Sequence, residues 1–125
     1  MATRRVLIVD DEERIREVVR TCLVKLAKWE ALTAASGAEA IQIAAFEQPD
    51  AILLDVSMPG MNGVETFQQL QANPQTQAVP VIFLTAKVQP AEREEYKQLG
   101  AAGLIVKPFD PIQIAQEIRQ LLGWS

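Results

Sequence analysis

Five residues with carboxylate, hydroxyl or amine side chains stand at the ends of short apolar runs. They are Asp10, Asp11, Asp55, Thr85 and Lys107. Short continuous apolar runs are typical of buried parallel strands. Because the carboxyl ends of parallel strands meet at one edge of a sheet, we expect the five side chains to converge there. A single strand-end aspartate is often only a helix cap, but five such residues together predict a functional site.

The three carboxylates of this predicted cluster repel one another unless a cation lies among them. Ligand sets made of oxygen favour Mg²⁺ or Ca²⁺ over zinc, and Mg²⁺ also accepts phosphate oxygens. A carboxylate can itself attack a phosphoryl group and form an aspartyl phosphate. A metal ion, a lysine and a hydroxyl then stabilise the phosphoryl oxygens. The residue types therefore predict magnesium-dependent phosphoryl chemistry.

The composition excludes several other kinds of chemistry. The 125 residues include no histidine and one cysteine, Cys22, which excludes histidine-based nucleophile systems and cysteine zinc sites. A phosphohistidine donor must therefore belong to a partner protein. The net charge of −4 disfavours non-specific binding to nucleic acid. No apolar run approaches the ~18 residues of a membrane-spanning helix, so we expect a soluble protein without membrane insertion.

The elements that position the five residues alternate between strand and helix. Predicted strands cover Val6–Val9, Ala31–Ala34, Ala51–Asp55, Val79–Leu84 and Leu104–Val106. Helix-start signals are a capping box at Ser36 and Glu39, Pro90 in a first turn, and Asp110 as the N-cap of the last helix. Five such units predict one α/β domain over residues 1–125, with a doubly wound parallel sheet covered by helices on both faces.

Four segments of the sequence resemble bacterial response regulator receiver domains. They are Leu7–Asp11, Asp55–Glu65, Phe83–Ala86 and Val106–Phe109. The resemblance covers essentially the whole chain, and the run Asp-x-x-Met-Pro-x-Met-x-Gly together with Lys-Pro-Phe is highly specific. The family implies a flavodoxin-like fold with strand order 2-1-3-4-5. It also implies a phosphorylation-activated switch in a two-component phosphorelay.

The resemblance implies a role for each matching residue. Asp55 is the expected phosphoacceptor, Lys107 pairs with the phosphoryl oxygens, and Thr85 donates a hydrogen bond to one of them. The implied Mg²⁺ ligands are Asp10, Asp11, Asp55 and the backbone carbonyl of Ser57. Asp10 is expected to act mostly through water.

Further positions follow the family pattern or depart from it. Lys107–Pro108 is a candidate cis peptide bond, and Gly63 is expected in a backbone conformation that other residues disfavour. Leu104 stands where relatives often have an aromatic residue coupled to the threonine hydroxyl, which puts that aromatic switch in doubt. Ser57 and Lys87 occupy positions that influence the lifetime of the phosphoryl group in this family.

The implied phosphoryl donor is a sensor histidine kinase or a histidine phosphotransfer protein. We expect output through contact with a downstream protein, with no direct binding of nucleic acid, and a cytoplasmic location. The candidate output surface is the face formed by the Pro90–Leu99 helix, the fifth strand and the last helix. The chain promotes only its own phosphorylation and dephosphorylation, so it is not expected to be an enzyme. Its start at Met1 and its end at Ser125 favour a free-standing regulator.

Three alternatives remain open from the residues. The first is a receiver that acts as a scaffold without being phosphorylated. The second is an aspartate-nucleophile phosphatase, for which Ser57 stands where the haloacid-dehalogenase type needs a second aspartate. The third is a flavin-binding electron carrier, whose phosphate the acidic Asp10–Glu13 segment would repel.

The remaining apolar, aromatic and basic residues give expectations about packing. Cys22 is expected to be buried, and the Pro90–Leu99 helix is expected to be poorly anchored, with Tyr96 its main apolar residue. The last helix is expected to contribute Ile112, Ala115, Ile118, Leu121 and Leu122 to the core. Basic residues near the first helix are expected to pair with glutamates four positions away. They are Arg4, Arg5, Arg14, Arg16 and Arg20.

Overall fold

In the computed structural model, residues 3–86 and 89–124 are described, and they form five strands and five helices. The strands β1–β5 are Arg5–Val9, Glu30–Ala34, Ala51–Asp55, Val81–Thr85 and Gly103–Val106. The helices α1–α5 are Glu13–Lys25, Gly37–Glu47, Gly63–Ala72, Pro90–Leu99 and Ile114–Leu122. A 3₁₀ turn over Pro111–Gln113 precedes α5. None of the helices within these described ranges is long and apolar enough to cross a membrane.

The five strands form one parallel sheet in the order β2-β1-β3-β4-β5, which confirms the predicted topology. The register aligns the carboxyl ends of the strands. Val9 pairs with both Ala34 and Leu54, and Thr85 pairs with Val106. Polar residues at the ends of β1, β3, β4 and β5 are therefore brought to a common edge of the sheet.

The side chains of the sheet divide between two apolar clusters, one on each face. Along β1, Leu7 and Val9 belong to one cluster, and Val6 and Ile8 belong to the other. This alternation follows from the two-residue repeat of a strand. Helices α2, α3 and α4 pack on the first face, and α1 and α5 pack on the second. Packing of apolar side chains on both faces holds the sheet between the two layers of helices, and the polar residues lie at the carboxyl ends of its strands.

The Ser36 half of the predicted capping box is confirmed, and glycines end two of the helices. The Ser36 hydroxyl accepts a hydrogen bond from the Glu39 N–H at 3.2 Å at the start of α2. Gly100 and Gly123 end α4 and α5 with φ values of 104° and 70°, in the left-handed region that glycine adopts at low cost. Asp110 instead begins the 3₁₀ turn, where its side chain accepts from the Ile112 N–H at 3.0 Å.

The prediction that Gly63 needs an unusual backbone conformation was wrong. Gly63 is the first residue of α3 and is buried, and its φ does not lie in the left-handed region. A Cβ atom at this position would clash with the Asp55 carbonyl oxygen and would lie 2.7 Å from the Val56 Cα. Glycine is therefore required by the close approach of α3 to the end of β3.

The predicted core of the last helix was partly wrong. Ile118 and Ala115 are buried, but Ile112 is 66% exposed and Leu121 is 39% exposed. Ile112 lies in the 3₁₀ turn before α5 and is exposed, whereas Ile114, the first residue of α5, is buried. Cys22 was expected to be buried and is only partly so.

The predicted pairing of the basic residues was also wrong in its spacing. Arg20 pairs with Glu17, three positions away, at 2.9 Å. Arg5 makes ion pairs with Glu30 at 3.1 Å and with Glu47 at 3.0 Å, so it joins β1 to β2 and α2. These contacts are between elements, which a local spacing rule cannot anticipate.

Candidate functional site

The structure brings the five residues singled out from the sequence to the carboxyl edge of the sheet. Asp55 and Thr85 are the last residues of β3 and β4, and both are buried. Asp10 follows β1 directly and has no exposed surface. Asp11 is exposed at the start of the β1–α1 loop, and Lys107 follows β5.

Lys107 joins the two buried carboxylates. Its Nζ lies 3.0 Å from Asp55 Oδ1 and 3.3 Å from Asp10 Oδ2. The Lys107 N–H donates to the Thr85 carbonyl at 2.9 Å, which fixes the start of the lysine side chain beside β4. The predicted cis peptide bond at Lys107–Pro108 is confirmed. One ammonium group is thus shared between two carboxylates that are far from it in sequence.

The carboxylate, the backbone N–H and the carbonyl of Asp10 all form hydrogen bonds. Its Oδ1 accepts from the Glu12 N–H at 2.9 Å, and its own N–H donates to the Ala34 carbonyl at 3.2 Å. Its carbonyl accepts from Arg16 Nη1 at 2.8 Å. Reasoning from the sequence did not identify Arg16 as a residue of the site. The available signal was a cation in the first turns of α1, where the positive end of the helix disfavours one.

The surroundings of Asp55 oppose its ionisation. Burial raises the pKa of the Asp55 carboxyl and outweighs the hydrogen bond from Lys107, which lowers it, while the Asp10 charge raises it further. The Ser57 N–H also donates to Asp55 Oδ1, at 3.1 Å. For Lys107, burial lowers the pKa, but the contacts with Asp55 and Asp10 outweigh it, and the net shift is upward. Lys107 is therefore a cation at neutral pH, beside a carboxylate whose charge is costly.

The donor set fits a divalent cation. One carboxylate oxygen from each of Asp10, Asp11 and Asp55 lies within 4.8 Å of the others. Lys107 supplies a single positive charge against these three carboxylates. A hard cation with oxygen ligands, such as Mg²⁺, would balance the remaining charge. Since Asp11 is exposed, the cluster is accessible to solvent on that side.

Three positions were singled out by comparison with the family pattern: Ser57, Lys87 and Leu104. Ser57 is exposed, and Lys87 lies outside the described residues. Leu104 is partly buried and packs against the apolar cluster that contains Phe83 and Tyr96. The Tyr96 ring on α4 meets the Phe83 ring edge-to-face at 5.2 Å.

An apolar cleft of 440 Å³ opens beside the cluster, between α1 and the segment that follows β5. Ile15 and Val18 line it from α1, and Pro108 and Phe109 line it from the other side. Lys107 also contributes to its wall. An approaching molecule could thus contact an apolar surface and the polar cluster together.

Comparison with known proteins assigns the chain and its fold to one family. The family model described as "Response regulator receiver domain" matches residues 6–119. The chain is 39% identical over 119 residues to a probable transcriptional regulator, ycf27, of Cyanophora paradoxa, which covers 95% of this chain and 48% of that protein. The chain spans about half the length of the curated relatives it matches.

Two solved structures have the same fold over nearly their whole length. Chemotaxis protein CheY4 of Vibrio cholerae is 36% identical, with a TM-score of 0.88 over 96% of this chain and 99% of that one. The receiver domain of sensor histidine kinase PA1611 of Pseudomonas aeruginosa is 27% identical, with a TM-score of 0.83 over 98% and 99% of the two chains. That structure has a magnesium ion coordinated in its active site cleft.

Proposed function

The chain belongs to the response regulator receiver domain family, and on this basis we propose that phosphorylation of Asp55 switches it between two signalling states. The observation that carries the proposal is the placement of Asp55 within the acidic cluster, with Lys107 Nζ 3.0 Å from its Oδ1. A buried carboxylate next to a cation, at an edge open through Asp11, suits attack on a phosphoryl group. We propose that residues 1–125 form one such domain.

In the proposed reaction, an Asp55 carboxylate oxygen attacks the phosphorus atom of a phosphohistidine on a partner. The new O–P bond forms as the P–N bond breaks, and the partner's imidazole leaves with the electron pair of that bond. Asp55 must be ionised to attack, and the Lys107 ammonium favours that form through its 3.0 Å contact. The chain promotes this transfer and the later hydrolysis of its own aspartyl phosphate, and it turns over no external metabolite.

We propose Mg²⁺ as the cofactor, with Asp10, Asp11, Asp55 and the Ser57 backbone carbonyl as its ligands. The support is the spacing of the three carboxylates within 4.8 Å and the magnesium ion in the PA1611 receiver domain. When bound, the ion would neutralise charge on the phosphoryl oxygens. Asp10 is already engaged by the Glu12 N–H and by Lys107, which suits the predicted contact through water.

Lys107 and Thr85 are proposed to bind the phosphoryl oxygens and so to change position when Asp55 is phosphorylated. The phosphoryl group adds negative charge next to Lys107, which can exchange its Asp55 contact for a phosphoryl oxygen. The Thr85 hydroxyl, at the end of β4, would donate to a second oxygen. Because Phe83 on β4 contacts Tyr96 on α4, a movement at Thr85 would be transmitted toward α4.

The proposed phosphoryl donor is a sensor histidine kinase or a histidine phosphotransfer protein acting in the cytoplasm. Receiver domains of this family interact with such kinases, and the apolar cleft beside Lys107 is a suitable docking surface for the donor. Output is proposed to pass through α4, β5 and α5 to a downstream protein, without direct binding of nucleic acid.

The test is phosphoryl uptake from acetyl phosphate, measured by intact mass with and without Mg²⁺. Wild type is expected to gain one phosphoryl group only with Mg²⁺, and Asp55→Asn is expected to gain none. Asp50→Asn is the matched control, because Asp50 is an exposed aspartate at the opposite edge of the sheet that accepts from the Arg5 N–H at 2.8 Å. If the wild-type protein takes up no phosphoryl group from either acetyl phosphate or a mixture of kinases, the alternative of a scaffold that is not phosphorylated would be favoured.

A further inference from the structure

Arg16 hydrogen-bonds to the loop that carries Asp10 and Asp11, two of the proposed metal ligands. Its Nη1 donates to the carbonyl oxygen of Asp10 at 2.8 Å, across six positions of the sequence. The Arg16 backbone N–H makes the first hydrogen bond of α1, to the Glu12 carbonyl at 3.2 Å. The same residue is therefore tied to both ends of the turn from β1 into α1.

The bonded carbonyl lies between the two acidic residues of the loop. The Asp10 carbonyl and the Asp11 N–H belong to one planar peptide group. Fixing the direction of this carbonyl therefore also fixes the direction in which the chain enters Asp11. The Asp10 carboxylate is held separately by the Glu12 N–H and by Lys107. Of the hydrogen bonds described above, only the one from Arg16 involves the peptide group that joins Asp10 to Asp11.

Local helix energetics do not explain an arginine at this position. Arg16 is the fourth residue of α1, where the positive end of the helix disfavours a cation. Arg20, one turn later, has an ordinary pairing with Glu17 at 2.9 Å. Asp10 is fully buried and its bond from Arg16 is partly buried, so removal of Arg16 would take away the side-chain donor to the Asp10 carbonyl.

We propose that Arg16 is a positioning residue for the magnesium site, which acts through the Asp10 carbonyl to orient Asp10 and Asp11. The inference rests on the proposed function, because it requires that Mg²⁺ binds at these carboxylates. Arg16 itself touches neither the metal nor the phosphoryl group. Residues that orient metal ligands in this way affect affinity although they are not ligands.

The direction in which Mg²⁺ affinity changes when Arg16 is replaced distinguishes a positioning role from a purely electrostatic one. A cation near the acidic cluster opposes Mg²⁺ binding, so removal of the Arg16 charge alone would strengthen binding. Removal of the hydrogen bond would instead loosen the Asp10–Asp11 peptide and weaken binding. The two explanations therefore predict changes in opposite directions.

The experiment compares Arg16→Met, which keeps an apolar side chain of similar length, with Arg16→Lys, which keeps a donor and the charge. Arg20→Met is the matched control on the same helix. The Kd for Mg²⁺ is measured by calorimetry and by the rise in Tm with Mg²⁺. The rate of phosphorylation by acetyl phosphate is then measured as a function of Mg²⁺ concentration.

Arg16→Met is expected to weaken Mg²⁺ binding about tenfold, while Arg16→Lys restores most of the affinity and Arg20→Met leaves it unchanged. The half-saturating Mg²⁺ concentration for phosphorylation should rise by the same factor, while the maximal rate stays nearly constant. Unchanged or stronger Mg²⁺ binding by a folded Arg16→Met protein overturns the inference. Wild type that binds no Mg²⁺ instead overturns the proposed function.

A second measurement uses wild type alone and does not depend on the folding of a variant. In an NMR titration with Mg²⁺, the Arg16 guanidinium and the Asp11 amide signals are expected to shift with the same midpoint. Binding of Mg²⁺ that moves the Asp11 amide but leaves the Arg16 guanidinium signal in place overturns the inference.

Discussion

At the scale of single residues, the site depends on a buried carboxylate whose charge is only partly compensated. Lys107 contacts both Asp55 and Asp10, so one cation serves two anions. Burial, together with the Asp10 charge, nevertheless outweighs the contacts from Lys107 and raises the pKa of Asp55. The folded protein without metal therefore loses stability when Asp55 ionises, and a cation bound at the cluster would offset part of that loss.

The first prediction follows from the direction of this shift. Because the Asp55 pKa is higher in the folded protein than in the unfolded chain, ionisation destabilises the fold as pH rises through that range. Asp55→Asn, which cannot ionise, should therefore have a higher Tm than wild type at pH 7 in EDTA. Its advantage should shrink as pH falls toward the pKa of Asp55. Thermal unfolding followed by circular dichroism at several pH values measures both effects.

Asp50→Asn serves as the control for this prediction, since Asp50 is exposed and outside the cluster. It should show no such gain at pH 7. A lower Tm for Asp55→Asn than for wild type in EDTA would contradict the electrostatic account. Saturating Mg²⁺ should raise the Tm of wild type more than that of the variant.

At the scale of elements, the junction of β3 and α3 is set by a close approach of the two backbones. The start of α3 is held by a reciprocal capping box, in which Asn62 Oδ1 accepts from the Glu65 N–H at 2.9 Å and the Asn62 N–H donates to Glu65 Oε1 at 3.1 Å. Gly63 then passes directly against the backbone of Asp55 and Val56. This contact places α3 directly against the end of β3, where the proposed phosphoacceptor Asp55 lies.

The second prediction compares two glycines of this segment. Gly63→Ala inserts a methyl group against the backbone and should lower the free energy of unfolding by about 2 kcal/mol or more. Gly60 has a φ of 75° but open space around its Cβ position, so Gly60→Ala should cost only about 1 kcal/mol. Urea unfolding measures both. Equal losses in the two variants would contradict the steric explanation for Gly63.

The third prediction concerns α4, which is weakly anchored as the sequence indicated. Tyr96 is the one buried residue of α4, a helix that the structure describes throughout, whereas α1 buries both Val19 and Leu23. Few buried contacts give a low free energy of local opening. Amides of α4 should therefore exchange about tenfold or more faster than those of α1 in native-state hydrogen exchange.

Variants at Tyr96 test whether its ring is the anchor. Tyr96→Ala removes the contact with Phe83 and should accelerate exchange throughout α4. Tyr96→Phe keeps the ring and should leave exchange nearly unchanged. Exchange in α4 as slow as in α1 for the wild-type protein would refute the prediction.

At the scale of the whole molecule, an aromatic cluster joins distant parts of the chain at the edge opposite the candidate site. Trp29, before β2, meets Trp124, after α5, edge-to-face at 5.3 Å. Arg4 lies 4.4 Å from the Trp124 ring, and Arg119 lies 5.0 Å from the Trp29 ring. The cluster thereby fixes the end of α5 against the start of the sheet.

The fourth prediction measures this connection with a double-mutant cycle. Trp29→Leu and Trp124→Leu should each destabilise the protein, and their coupling energy should be about 1 kcal/mol, as for other aromatic pairs. Urea unfolding of the two single variants and the double variant gives this value. Phe46→Ala is the control, because Phe46 is 86% exposed and its loss should cost less than about 0.5 kcal/mol. Additive losses at the two tryptophans would show that the ring contact is unimportant.

The order of the elements and the convergence of the site residues followed from the sequence alone. Apolar runs and turn residues are local signals, and parallel pairing aligns the ends of the strands whatever the details of packing. Asp10, Asp55 and Lys107 were therefore assigned to one edge correctly. The family motifs supplied their expected roles, and the position of Lys107–Pro108 as a cis bond was also predicted.

The tertiary structure alone decided which groups touch and why certain residues are required. Lys107 and Asp10 are 97 positions apart, and their contact depends on the register of β1 against β5 through two other strands. The bond from Arg16 to the Asp10 carbonyl, the steric need for Gly63, and the pairing of Trp29 with Trp124 are of the same kind. Burial, charge compensation and backbone approach depend on atoms from several elements at once, so a pattern along the chain cannot specify them.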